Sequence, residues 1–135
     1  MSDAEGRRKP RVLLVEDDED MRELYSWGLL ADGWFVAVAT DGQEALYHAD
    51  SFEPDAIVMD LLLPVVDGFE TIRRLKSNAR TSLIPIVAVS GANGSRVEEL
   101  AMTAGCDAFV PKPCAPSELS ALLEDLVTRR TCPPR

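Results

Sequence analysis

Five short apolar runs, each followed by a stretch with helical periodicity, alternate along this chain of 135 residues. The runs cover residues 12–15, 34–39, 56–59, 84–89 and 108–110, and they are short and rich in β-branched residues, as strands are. Between and after them, apolar residues recur three and four apart: Met21, Leu24, Tyr25 and Gly28; Ala45, Leu46 and Ala49; Phe69, Ile72 and Leu75; Val97, Leu100, Ala101 and Ala104; Leu119, Leu122, Leu123 and Leu126. Each set lines one side of a helix. Ser95 with Glu98 predicts a capping box, and Gly33 and Gly105 stand where helices end. Strict β-α alternation needs a crossover between each pair of parallel strands, so the pattern predicts a doubly wound α/β domain with helices on both faces of a five-stranded parallel sheet.

A chain of this size buries about two thirds of its surface, enough for a core without disulfide staples. Residues 1–10 and 129–135 read as polar tails on one domain spanning 11–128. The formal net charge of −9 argues against direct binding to a nucleic-acid backbone, where Lys and Arg must displace counterions. No apolar run approaches the ~18 residues of a membrane span, and the charged N-terminus does not lead into a signal peptide. Cys106, Cys114 and Cys132 are odd in number and form no CxxC, which fits reduced thiols and a cytoplasmic location.

In such a sheet, ligands gather beyond the carboxyl ends of the strands. The first run leads into Glu16, Asp17, Asp18, Glu19 and Asp20, of which the last three suit a helix start, where the dipole favours negative charge. The third run ends in Asp60, at the same edge of the sheet. Carboxylates brought together repel unless a hard cation lies among them, and Mg²⁺ suits an all-oxygen set. A lone His48 and scattered cysteines disfavour zinc, copper or iron. The fourth run ends in Ser90-Gly91, a hydroxyl and a backbone N–H open to an anion. The fifth is followed by Lys112-Pro113, whose lysine either neutralises the carboxylates or meets a phosphate oxygen; Pro113 suits a fixed turn, a cis bond included.

The pieces L-L-V-E-D-D, V-M-D-L-L-L-P-V-V-D-G, A-V-S-G-A and F-V-P-K-P, with Asp17, Asp60, Ser90 and Lys112 following one another at intervals of 43, 30 and 22 residues, resemble the receiver domain of two-component response regulators over about residues 11–128. The resemblance implies a flavodoxin-like sheet of order 2-1-3-4-5. It implies that Asp60 is the phosphoacceptor, that Lys112 contacts the phosphoryl group, and that Ser90 and Phe109 are the switch pair. It further implies that Mg²⁺ is held by Asp17, Asp60 and the backbone carbonyl of Leu62, with Glu16 acting through water and Asp18 left to the helix start. Without the neighbouring motif, Phe109 reads as a core aromatic.

The function so implied is that of a single-domain response regulator. It takes a phosphoryl group from a histidine kinase or a histidine phosphotransfer protein and changes its surface for a downstream protein. It turns over no external substrate, so it is not an enzyme in that sense. Trp27 and Leu30 point away from the apolar stripe of the first helix, which in this family commonly faces the phosphodonor partner. Leu62 and Ala92 stand where polar side chains often hasten dephosphorylation, so the adduct's lifetime is not expected to be shortened there. A haloacid-dehalogenase-like phosphatase would need a second acid two residues after the nucleophile, where Leu62 stands. The other readings are an unphosphorylated interaction module and the regulatory part of a longer protein.

Overall fold

The computed structural model describes residues 9–91 and 95–131. Among the described residues five strands and five helices alternate: β1 (Arg11–Val15), α1 (Glu19–Ala31), β2 (Phe35–Ala39), α2 (Gly42–Ser51), β3 (Ala56–Asp60), α3 (Gly68–Ser77), β4 (Ile86–Ser90), α4 (Ser95–Ala104), β5 (Ala108–Pro111) and α5 (Pro116–Thr131). All strand pairs are parallel, in the order β2-β1-β3-β4-β5. The doubly wound sheet expected from the alternation is therefore observed, in the flavodoxin-like order that the resemblance implied.

Burial explains the composition of the strands. β3 and β4 are covered on both faces and are buried at every residue, which is why they read as continuous apolar runs rather than alternating ones. Residues pointing to one face, such as Leu13, Ile57, Met59 and Ile86, pack with Ala45, Ile72, Leu75 and Ala101 of α2, α3 and α4. On the other face Val12, Leu14, Val58 and Val87 pack with Tyr25, Leu29, Leu119 and Leu123 of α1 and α5. Trp34 is drawn into that second layer and donates its indole N–H to Ser120 Oγ at 3.0 Å, so β2 begins one residue later than the apolar run.

Helix starts are fixed by aspartates. Asp18, Asp41 and Asp67 each accept a backbone N–H in the first turn, from Met21 at 2.9 Å, Glu44 at 2.8 Å and Glu70 at 2.9 Å, caps worth about 1 kcal/mol apiece. Gly33 and Gly105 adopt positive φ of 95° and 120° at the ends of α1 and α4, as their positions implied. At Gly68, a Cβ would lie 2.5 Å from the Asp60 carbonyl oxygen. Only glycine lets α3 start this close to the end of β3, and the approach fixes the loop after Asp60.

Two apolar positions depart from the periodic reading. Leu24 is 49% exposed and Leu100 42% exposed. The buried side of α1 is centred on Met21, Tyr25, Gly28 and Leu29, so Leu24 lies nearly a right angle away at 100° per residue. In α4, Ala101 and Ala104 hold the centre and Leu100 the margin. Helix α5 continues to Thr131, past the boundary drawn at 128, with Arg129 paired to Asp125 at 3.0 Å one turn earlier. Most of both tails, Ala92, and the side chain of Ser95 with its capping box lie outside what is described.

Candidate phosphoryl-acceptor site

The carboxyl edge of the sheet brings the sequence-predicted acids together. Glu16 follows β1 directly and is buried, Asp17 is exposed, and Asp60 closes β3 at 5% exposure. One carboxylate oxygen from each lies within 4.8 Å of the others. Asp18 stands apart as the α1 cap. Lys112, just past β5, reaches in from the far side, with Nζ 2.7 Å from Glu16 Oε1 and 3.5 Å from Asp60 Oδ2. The Lys112–Pro113 peptide bond is cis.

The backbone completes the arrangement. The Asp18 N–H donates to Glu16 Oε2 at 3.2 Å, and the Leu62 N–H donates to Asp60 Oδ1 at 3.1 Å. Glu16 is thereby held at both oxygens. Ser90 is buried at the end of β4, and its carbonyl accepts the Lys112 N–H at 2.8 Å, tying the two strand ends together. Gly91 is exposed, with open space where a Cβ would be. Phe109 is half-buried and packs on the α2-α3-α4 side of the core, as its pairing with Ala88 requires. Leu62 and Val65 are 65% and 74% exposed at the mouth.

Arg22 was not singled out from the sequence. Its guanidinium donates to the carbonyls of Glu16 at 3.2 Å and Asp17 at 3.4 Å, so α1 steadies the acidic turn from outside. Its signal was a basic residue one turn into a helix that otherwise opens with acids.

Charge is not balanced here. Burial raises the pKa of the Glu16 carboxyl above its ordinary value; the Lys112 hydrogen bond opposes this, and Asp60 adds to it. Burial alone would lower the Lys112 ammonium, but its hydrogen bond to Glu16 and the charges of Asp60 and Glu16 outweigh burial and raise it. Three carboxylates against one lysine leave a negative surplus that a divalent cation neutralises. The donors are oxygens alone, with no nitrogen or sulfur among them, which fits Mg²⁺.

Residues 12–124 match the response regulator receiver domain family. The chain belongs to that family. Among curated relatives, the receiver is 37% identical over 121 residues to the response regulator MprA of Mycolicibacterium vanbaalenii, covering 90% of this chain and 52% of that protein. It is 37% identical over 125 residues to the transcriptional regulatory protein PrrA of Mycobacterium tuberculosis, covering 93% and 53%. The chain thus spans about half the length of these relatives. Among solved structures, a putative response regulator from Chloroflexus aurantiacus superposes with a TM-score of 0.86 at 28% identity, covering 90% of this chain and all of that one. The receiver domain of a sensor histidine kinase from Pseudomonas aeruginosa, determined with a magnesium ion coordinated in its active-site cleft, superposes with a TM-score of 0.81 at 29% identity, covering 90% and 99%.

Proposed function

We propose that this receiver is a phosphorylation switch in which Asp60 accepts a phosphoryl group from a phosphohistidine on a kinase or phosphotransfer protein. The observation that carries this is the convergence of Glu16, Asp17, Asp60 and Lys112 at one sheet edge, within the distances given above. An Asp60 oxygen attacks phosphorus in line, the P–N bond of the donor breaks, and its electron pair leaves on the imidazole nitrogen. Lys112 stabilises charge on the equatorial phosphoryl oxygens. Asp17 and Asp60, with the Leu62 carbonyl and the neighbouring Glu16, would hold Mg²⁺, which would supply charge neutralisation and orientation when bound. Arg22 keeps the acidic turn in place, and the Leu62 N–H orients the Asp60 carboxylate.

The product is an aspartyl phosphate, whose dianion offers strong acceptors to the Ser90 hydroxyl and the Gly91 N–H. Drawing that loop inward frees space beside β5 for Phe109 to turn in, and the altered surface binds a downstream protein. The chain turns over no external substrate and works in the cytoplasm. The chain covers only about half of these curated relatives, which favours a second reading in which the same switch governs a further domain of a longer protein.

Intact mass after incubation with Mg²⁺ and acetyl phosphate tests the chemistry. An adduct of about 80 Da on the wild type and none on Asp60→Asn is expected. No adduct on the wild type, or an equal one on the variant, would remove Asp60 from this role.

A further inference from the structure

The phenol of Tyr25 is completely buried in α1, on the side of the helix facing α5. Its hydroxyl lies 3.5 Å from the backbone carbonyl oxygen of Cys114 and 3.4 Å from Cys114 Sγ. The phenol O–H donates to the carbonyl, and in the contact with sulfur either the phenol or the thiol can be the donor. Burial lifts the Tyr25 pKa well above its ordinary value, and the hydroxyl stays protonated. One turn along α1, a Cβ on Gly28 would lie 2.3 Å from Pro116 Cβ. Helix α1 therefore grips the chain beyond β5 at two points, Cys114 in the β5–α5 connection and Pro116 at the start of α5, which lie two and four residues beyond Lys112. Pro116 is held by shape, and Cys114 by directed polar contacts.

We infer that Tyr25 is a positioning residue whose hydroxyl, through Cys114, sets where the Lys112 ammonium stands among Glu16 and Asp60. This rests on the function proposed for Asp60 and adds to it a residue outside the acidic cluster. The link is short. Lys112 hangs from a turn whose near end is fixed by its own N–H on the Ser90 carbonyl and whose far end is fixed at Cys114. Loss of the phenol O–H leaves a carbonyl without its donor and frees that far end, while the aromatic ring still fills the core.

Two measurements on the full chain test this, with Tyr25→Phe, Lys112→Ala and the double variant. In the first, adduct formation from acetyl phosphate at saturating Mg²⁺ is followed by intact mass. Tyr25→Phe is expected to lower the limiting rate about fivefold, the scale of one ordinary hydrogen bond. The double variant is expected to be no slower than Lys112→Ala alone, because Tyr25 acts only through the lysine. In the second, Mg²⁺ alone is titrated calorimetrically. Lys112→Ala is expected to bind it more tightly than the wild type, and Tyr25→Phe at least as tightly as the wild type, since a loosened ammonium competes less for the carboxylates. A collapsed core would instead weaken Mg²⁺ binding. An unchanged rate in Tyr25→Phe, a drop that persists undiminished beside Lys112→Ala, or weakened Mg²⁺ binding would each overturn the inference while leaving Asp60 its role. Absence of adduct on the wild type would overturn both.

Discussion

The two ends of the sheet each hold a lysine paired with carboxylate oxygens, and the two lysines are in opposite circumstances. At the amino edge, Lys76 Nζ donates to Asp107 Oδ2 at 3.0 Å and to the carbonyls of Ser82 at 3.3 Å and Ile84 at 2.8 Å. The same Asp107 oxygen accepts the Ile86 N–H at 2.8 Å. One cation meets one anion there, and three donors of one ammonium find three acceptors. At the carboxyl edge, Lys112 faces Glu16 and Asp60 with Asp17 beside them, and negative charge is left over. A matched cluster serves the fold, joining α3 to the starts of β4 and β5. An unmatched one stores repulsion that a ligand relieves, and such clusters belong to functional sites.

The sharpest way to break that contrast is to remove each cluster's charge and compare folding stability. Lys76→Met leaves the Ser82 and Ile84 carbonyls without their donor and Asp107 without its cation, so it should cost about 2 kcal/mol in urea denaturation. Asp60→Asn should act in the opposite direction. With Mg²⁺ chelated, it removes one of three crowded carboxylates and should raise stability by about 1 kcal/mol. Mg²⁺ at ten times its dissociation constant should add about 1.4 kcal/mol to the wild type, offsetting that gain. An Asp60→Asn variant less stable than the wild type in chelator would mean that the carboxyl-edge cluster is balanced after all.

The same contrast explains what the sequence disclosed. The acids and the lysine of the functional edge were legible because each lies within two residues of the end of an apolar run, and a doubly wound sheet leaves such residues nowhere to go but the strand ends. Glu16, Asp17, Asp60 and Lys112 therefore met as expected, and Ser90 and Gly91 stand at and just after the end of β4. The amino-edge cluster was hidden, because Lys76 and Asp107 lie 31 residues apart and each reads as an ordinary surface charge in its own segment. Arg22 escaped for a similar reason, since its partners are backbone carbonyls that no side-chain pattern marks. The helix stripes were read correctly in direction and too broadly in width. Periodicity gives the angle of a face, but how far the buried arc extends depends on close approaches such as Gly28 to Pro116, which bring Tyr25 inward and leave Leu24 at the margin.

Two cysteines carry the comparison to its smallest effect, one at each end of the sheet. Cys106 is 5% exposed beside Asp107, and its thiol is pushed up to about 11, chiefly by burial and further by that carboxylate. At pH 8 about one molecule in a thousand would hold Cys106 as thiolate. Cys114 is half-buried behind Lys112. Iodoacetamide at pH 8, followed by peptide mass mapping of the folded protein, should therefore label Cys114 well before Cys106, with Cys106 reacting only as the chain unfolds. A thiol whose folded pKa is raised keeps its proton longer in the fold than in the unfolded chain. The stability it contributes is then whole below its ordinary value near 8.5 and is lost as pH rises from there to about 11. Replacing Cys106 with Ala should make the urea midpoint decline less steeply over that interval. Equal labelling of the two thiols in the folded state would show that the amino edge opens as readily as the functional one, and the assignment of a rigid end and a working end would have to be given up.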